Sequence, residues 1–183
     1  MEATIIDSSA AKNLAVYAVK DAIIHTFLTM AGMEATVGIA YPHGQKSCAS
    51  RSVAGVIGWI GNWNGTGILE CTPEFACKLS NLMLGSDMVS LSEDALDAVA
   101  EMTNIIFGGM KTELEAHLGA MGLSTPTVIY GNDVGMRSSG EAFTVIPIHI
   151  AEHLLHVKLF LARVEEKRTS LSHFWAASYS GAL

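Results

Sequence analysis

The sequence predicts a single α+β domain in which long helices pack on a mostly antiparallel β-sheet. Residues 11–31 and 93–118 repeat apolar side chains three and four positions apart, as helices with one buried face do. Short β-rich runs separated by turns lie between and after them, which is typical of antiparallel hairpins. The order helix, three strands, two helices, three strands favours helices layered on one sheet.

Composition sets the scale of the protein and excludes several classes. The chain has 183 residues, of which 50% are hydrophobic and 16% are charged. That is enough for one domain with a sizeable core, and too apolar for a disordered segment. The formal net charge is −7 at pH 7 and no basic stripe is visible, so we expect no nucleic-acid partner.

The sequence also predicts a cytoplasmic protein. Its N-terminal residues are acidic and lack the basic-then-apolar pattern of a signal peptide. Glycines and asparagines interrupt the longest uncharged stretch, residues 53–69, so we expect no membrane insertion. Cys48, Cys71 and Cys77 match no zinc or redox spacing and are interpreted as reduced thiols.

The first half is predicted to contain one long helix and three strands. The helix begins near Ala11 and ends at Gly32, because glycine enters the left-handed cap conformation without steric cost. A turn is expected at Asn64-Gly65, a pair suited to positive φ. The strands are expected at 35–41, 53–60 and 67–71.

The second half is predicted to contain two helices and three more strands. The first helix runs from a cap at Thr72 to Gly85. The next begins near Ser90 or Ser92, because Ser90 has a glutamate three residues on, as in a capping box. It continues to about Leu118. The strands are expected at 125–130, 142–149 and 154–164.

The two long helices suggest an internal duplication. Aligning residues 30–33 with residues 107–110, an offset of 77, places the first long helix on the third, and strands follow each. At this offset Glu101 and Asn104 correspond to Ile24 and Phe27, so the first helix has no second copy of that pair. Two helices that merely end near glycines explain the same match, and both interpretations stay open.

The third helix carries the pattern from which function is inferred. At about 100° per residue, its apolar face must pack on the core; the members of that face are Leu96, Val99, Thr103, Ile106, Phe107, Met110 and Leu114. Asp97, Glu101, Asn104 and Gly108 fall within a narrow arc roughly opposite. Glu101 and Asn104 are therefore predicted to project side by side into solvent, with Asp97 one turn below.

Polar residues on the outer face of an amphipathic helix commonly do no more than face water. Three features of this face argue for more. Asp97 and Glu101 are like charges four residues apart, and Asn104 is a poor helix former in mid-helix. Gly108 and Gly109 each cost up to about 1 kcal/mol relative to alanine. These residues indicate a face that fits against another molecule.

The run Asp97-Ala-Val-Ala-Glu101-Met-Thr-Asn104, followed by residues 111–114 and 124–131, resembles the active-site helix and next strand of the CheC/CheX/FliY phosphatases of bacterial chemotaxis. The resemblance extends over about residues 13–164. A single complete signature favours the CheX type, since CheC-type members usually carry two. Gly109, where such sequences often have asparagine, and the long tail depart from the pattern.

The resemblance implies a CheC-like fold with a degenerate internal duplication and a defined domain organisation. The phosphatase domain would span residues 11–164, between a flexible N-terminus of residues 1–10 and a C-terminal tail of residues 165–183. It also implies a homodimer formed through sheet edges.

The activity that the resemblance implies is dephosphorylation of a response regulator phosphorylated on aspartate, such as phospho-CheY. Asn104 would position the attacking water, and Glu101 would contact the regulator's active-site lysine. Asp97 and Gly108 would support partner binding. The phosphatase would need no cofactor of its own, because the regulator carries the Mg²⁺.

Two alternatives to this function remain at the level of sequence. A CheX-like domain without catalysis would bind a response regulator or a flagellar switch component and hydrolyse nothing. A metal-dependent hydrolase would use His149, His153 and His156 as ligands. Histidines at strand ends are the simpler interpretation, so we expect no metal site.

Overall fold

The computed structural model describes residues 6–43, 51–132 and 143–164, and over these ranges the chain forms three helices and eight strands. The N-terminal residues 1–5, Cys48, residue 142 and the tail 165–183 lie outside the described residues. In chain order the elements are α1 (Ser8–Ala31), β1 (Thr36–Val37), β2 (Tyr41–His43), β3 (Ser52–Gly61), β4 (Trp63–Cys71), α2 (Pro73–Leu84), α3 (Glu93–Leu118), β5 (Met121–Leu123), β6 (Thr127–Gly131), β7 (Phe143–Ile150) and β8 (His153–Arg163).

The strands form one antiparallel sheet, which confirms the predicted α+β class. Their order is β1-β7-β8-β4-β3-β5, with β2 also paired to β7 and β6 also paired to β3. The short strands of each half therefore pair with the hairpin of the other half, and the two hairpins meet at β4 and β8. This nearly palindromic order shows the degenerate internal duplication.

The register proposed for the duplication was wrong. Gly32 ends α1 in the left-handed conformation, whereas Gly109 lies inside α3, nine residues before its last residue. In the structure, the two halves correspond when the ends of α1 are aligned with the ends of α3. The N-caps Asp7 and Ser92 are 85 residues apart, and the C-caps Gly32 and Gly119 are 87 apart.

Two differences from the predicted first half have local causes. Helix α1 begins at Ser8 rather than Ala11, because the Asp7 carboxylate accepts a hydrogen bond of 2.8 Å from the Ala10 N–H. The single strand predicted at 35–41 is split into β1 and β2. Between them Gly38 donates its N–H to the Pro147 carbonyl at 2.8 Å, but proline has no N–H to return and the ladder is interrupted.

The turn predicted at Asn64-Gly65 was also wrong. The strands β3 and β4 turn at Asn62, and Gly65 lies within β4, paired with Trp59. A side chain at Gly65 would collide with the Trp59 indole, so this glycine gives room for packing rather than positive φ. The Asn64 side chain closes the turn by accepting from the Gly61 N–H at 3.2 Å.

In the second half, the predicted helix ends are mostly confirmed. Thr72 caps α2 and Gly85 ends it, and α3 ends at Leu118. The N-cap of α3 is Ser92, so the capping box built on Ser90 was wrong. Strand β5 was not predicted. It is only three residues long and pairs with the end of β3.

Candidate functional site

The site helix α3 is held in one rotation by close packing on the sheet. Thr103 is buried directly against Gly55 of β3, and its hydroxyl donates to the Val99 carbonyl at 2.7 Å. One turn later, Phe107 packs against Gly67 of β4. Strand glycines let the helix approach the backbone closely, so the opposite face of α3 must point outward.

The apolar stripe predicted for α3 is confirmed. Leu96 is half-buried, and the fully buried members are Val99, Thr103, Ile106, Phe107, Met110 and Leu114. The Phe107 ring also stacks on Trp59, with ring centroids 6.2 Å apart. This stripe fixes the direction in which the remaining residues of α3 project.

The end of α3 is fixed by one carboxylate. Glu115 pairs with Lys111 at 2.9 Å and accepts the Met121 N–H of β5 at 2.8 Å. The hydrogen bond from Lys111 lowers the pKa of Glu115, with a further contribution from the bond to Met121. Lys111, part of the segment that carries the family resemblance, thus has a structural contact within the chain.

The candidate pair lies on the outward face. Glu101 and Asn104 are both exposed, and Asp97 is exposed one turn earlier. The side chains of Glu101 and Asn104 form no hydrogen bond or ion pair with any residue that the structure describes. A carboxylate and a carboxamide therefore stand side by side on a rigid helix, free to contact another molecule.

The two glycines of α3 differ in their surroundings. A Cβ at Gly109 would lie 3.3 Å from the Ala22 Cβ, so this glycine accommodates α1. A Cβ at Gly108 would have nothing within 4 Å. Packing among the described residues gives no reason for glycine at position 108, and its open space adjoins Asn104.

Helix α1 has no second copy of the pair. At the offsets set by the helix ends, Glu101 and Asn104 correspond to positions within residues 14–19, which read Leu-Ala-Val-Tyr-Ala-Val. None is acidic or an asparagine. The conclusion drawn from the wrong offset therefore holds at the correct one.

A groove of about 400 Å³ lies between α1 and α3, beside the turn of α3 that follows the pair, and sequence reasoning missed it. Its α3 wall includes Ile105, four residues after Glu101. On α1, Tyr17, Ile24 and Leu28 are exposed although apolar. The sequence did contain one indication of this surface, because these three residues fall outside the helical stripe that packs on the core.

The histidines do not converge. His149 pairs across the hairpin with Leu154, and His153 pairs with Ile150. The His153 ring packs edge-on against Phe75 at 5.1 Å. Within the described ranges, no group of three or more histidine, cysteine, aspartate or glutamate residues is placed to hold a metal ion.

The described cysteines are buried and free. Burial raises the pKa of Cys71 to about 12, so its sulfur stays a thiol at neutral pH, and burial also raises the pKa of Cys77. A thiolate nucleophile is not available from either residue.

By length and composition alone, α1 is a candidate membrane span. In the structure it packs along α3, and its buried face belongs to the core; the buried residues are Ala11, Ala15, Ala18, Val19, Ile23, Thr26 and Phe27. Such a core helix passes the same test as a membrane span, so the composition of α1 is weak support for insertion.

Comparison with known proteins gives the class of this chain. Residues 53–149, just over half of the 183, match the family described as chemotaxis phosphatase CheX, and this segment contains all of α3. The chain therefore belongs to the CheX family.

One curated relative agrees with that assignment, and two solved structures share the fold. The CheY-P phosphatase CheX of Thermotoga maritima is 33% identical over 111 residues, which cover 57% of this chain and 71% of that protein. CheX of Vibrio vulnificus has the same fold, with a TM-score of 0.73 at 22% identity over 81% of this chain and 99% of the other. CheX of Borrelia burgdorferi, solved with CheY, BeF₃ and Mg²⁺, has a TM-score of 0.68 at 21% identity over 81% and 98%.

Proposed function

We propose that this protein dephosphorylates a CheY-like response regulator phosphorylated on aspartate, with Asn104 and Glu101 as its working pair. The observation that carries the proposal is the exposed position of both side chains on a packed helix, with no partner among the described residues. Membership of a phosphatase family supports the reaction, and the relative solved with CheY supports the kind of partner.

The proposed reaction needs orientation of a water molecule rather than a nucleophile from the protein. The water oxygen forms a bond to phosphorus while the bond from phosphorus to the aspartate oxygen breaks. The products are the aspartate carboxylate and inorganic phosphate, which keeps the protons of the water. Placing the water in line with the breaking bond is the main contribution expected of the phosphatase.

Asn104 suits this role because its neutral amide offers both an acceptor and donors. It can hold a water molecule beside the phosphoryl group without adding negative charge. A hundredfold acceleration corresponds to about 2.7 kcal/mol of transition-state stabilisation. One well-placed amide on a docked partner is enough to supply that amount.

Glu101 would contact the lysine of the regulator's active site and so set the reach of Asn104. A carboxylate on a rigid helix is a strong partner for an ammonium group that is shielded from water. Mg²⁺ would be carried by the regulator, as the Borrelia complex with CheY and Mg²⁺ suggests, and the phosphatase would hold no cofactor of its own. Asp97 and Gly108 would support partner binding.

The proposal includes a cytoplasmic homodimer that acts in two-component signalling. Strands β1, β2, β5 and β6 form the outer parts of the sheet, and β6 leaves Ile129 and Tyr130 substantially exposed. An edge of this kind can pair with the same edge of a second copy. The two helix faces of such a dimer would remain open to regulators.

The test is phosphate release from phosphorylated CheY-like regulators of the same genome. Wild-type protein is expected to accelerate release, and Asn104→Ala is expected to lower kcat at least about a hundredfold, the size of the orientation effect. Glu101→Gln should mainly raise KM, because it removes a docking charge. Asn62→Ala, an exposed asparagine in the β3–β4 turn, is the control and should behave as wild type.

Two results would contradict the proposal. Full activity of Asn104→Ala would remove the water-positioning role. Equal binding of phosphorylated and unphosphorylated regulator, with no acceleration of release, would identify a non-catalytic binding module instead.

A further inference from the structure

We propose that α1 forms the second half of the surface that docks the phosphorylated regulator. In this inference the exposed apolar stripe Tyr17, Ile24 and Leu28 sets the affinity for the regulator, while Glu101 and Asn104 act inside its pocket. The inference rests on the proposed function, since the occupant is the same partner.

The stripe is a clear anomaly on the surface of α1. Tyr17, Ile24 and Leu28 are 68%, 46% and 55% exposed, and their spacings of seven and four place them on one side of the helix. The opposite side is already buried in the core. Three large side chains that stay in water on the side of a helix facing away from the core are available to a partner.

The size of a protein interface makes α1 part of any complex centred on α3. A stable interface covers about 800 Å² of each partner, which is a patch about 30 Å across. Packed helices lie only about 8–10 Å apart. Ala22 and Gly109 show that α1 is such a direct neighbour of α3. A regulator that received Glu101 and Asn104 would therefore have to cover α1.

The groove between the helices connects the stripe to the pair. Ile105 follows Glu101 by one turn, and Thr112 follows Gly108 by one turn. The groove is about 400 Å³ in volume, and the residues that line it include Tyr17, Asp21 and His25 on α1 and Ile105, Gly109 and Thr112 on α3. Tyr17 belongs to both the stripe and the groove, and Ile105 on the opposite rim lies next to Asn104 in the chain, so the groove leads from the stripe toward the site.

Because this surface lies beside Glu101 and Asn104, it favours the regulator over two other partners, a second copy of this chain and a lipid surface. A second copy of this chain seated on α1 would block the approach to Glu101 and Asn104, and the proposed dimer uses the sheet edges instead. A lipid surface would have to accept Asp21, His25 and Glu113, which flank the groove, and charged groups are costly in the bilayer.

The double variant Ile24→Ser with Leu28→Ser tests the inference. Initial rates of phosphate release would be measured against the concentration of a phosphorylated CheY-like receiver, alongside binding to the same receiver loaded with BeF₃ and Mg²⁺. We expect KM and Kd to rise at least tenfold with kcat unchanged. Ile60→Ser is the matched control, because Ile60 is 70% exposed on the sheet face away from the helices.

Each result bears on one claim. Unchanged KM and Kd in the double variant, with an active wild type and an inactive Asn104→Ala, would overturn the role of α1 and leave the proposed function standing. A wild type that binds the receiver without turnover would overturn the function, and the Kd would still test α1. Loss of a wild-type dimer in the double variant, or loss of vesicle binding, would assign the stripe to another occupant. A wild type that binds no receiver would overturn the role of α1 as a docking surface.

Discussion

The adjacent glycines Gly108 and Gly109 of α3 have different structural roles. Gly109 faces Ala22 and lets α1 approach, whereas Gly108 faces open space beside Asn104. Alanine is favoured over glycine in a helix interior by up to about 1 kcal/mol. No contact among the described residues requires glycine at position 108, so alanine there would stabilise the helix. The presence of glycine is consistent with a partner that approaches this position closely.

At the scale of single residues, we predict that Gly108→Ala stabilises the fold and weakens function. The free energy of unfolding should rise by about 0.5–1 kcal/mol, because the new methyl group meets no neighbour and the unfolded chain loses freedom. Phosphate release from the regulator should fall, since the methyl group occupies the proposed docking space. Denaturant titration and the release assay measure the two effects.

The comparison variant is Gly109→Ala, where the added methyl group would lie 3.3 Å from the Ala22 Cβ. Its gain in stability should be smaller than that of Gly108→Ala. Equal activity of Gly108→Ala and wild type would argue against a partner over this position.

At the scale of elements, glycines in two strands decide where α3 lies. Gly55 receives Thr103, and Gly67 receives the ring of Phe107. Neither glycine has the positive φ of a turn residue, so their role is to leave out a side chain. Because α3 is seated in these gaps, its outward arc and the pair on it have one defined direction.

We predict that Gly67→Ala destabilises the protein by about 1–3 kcal/mol, the usual cost of overpacking a core. The added methyl group would overlap Phe107 and push α3 away from the sheet. Thermal unfolding followed by circular dichroism measures the loss. Gly58→Ala, in the adjacent strand, has its nearest neighbour at 3.8 Å and should change stability little. Equal stability of the two variants would show that α3 is not held by this contact.

At the scale of the whole molecule, the two halves meet along β4 and β8. On the sheet face away from α3, Glu70 of β4 and Lys158 of β8 form a buried ion pair with 2.6 Å between Oε2 and Nζ. The geometry is that of an ion pair rather than an aligned hydrogen bond. Side chains almost removed from water make this junction sensitive to the loss of either partner.

We predict that Lys158→Met lowers the free energy of unfolding by about 3–5 kcal/mol, because the Glu70 carboxylate would stay buried without a counter-ion. Replacing both residues, Glu70→Gln with Lys158→Met, should restore part of the loss. Urea unfolding of the three proteins gives the comparison.

The control for this prediction is Lys78→Met. Lys78 pairs with Glu152 at 3.0 Å on the surface, and an exposed pair contributes about 1 kcal/mol or less. If Lys158→Met were no more harmful than Lys78→Met, the central pair would not hold the halves together.

Parts of this protein follow from its sequence alone, because local chemistry determines them. Apolar spacing placed the stripe of α3 and hence the exposure of Glu101 and Asn104, and Thr72, Ser92 and Gly85 marked helix ends through their capping chemistry. The family resemblance rested on a short run within α3 and on residues 124–131 that follow it, and the family match confirms it.

Other features depended on contacts between distant segments, which no local pattern encodes. Gly65 was mistaken for a turn residue. Glycine is needed there because strand pairing places the Trp59 indole opposite it and leaves no room for a side chain. The offset between the halves, the interruption at Pro147 and the groove beside α1 likewise arise from pairing and packing. Sequence determined which side chains lie on the site helix; only the tertiary structure decided which surface surrounds them, because that surface is shared by segments far apart in the chain.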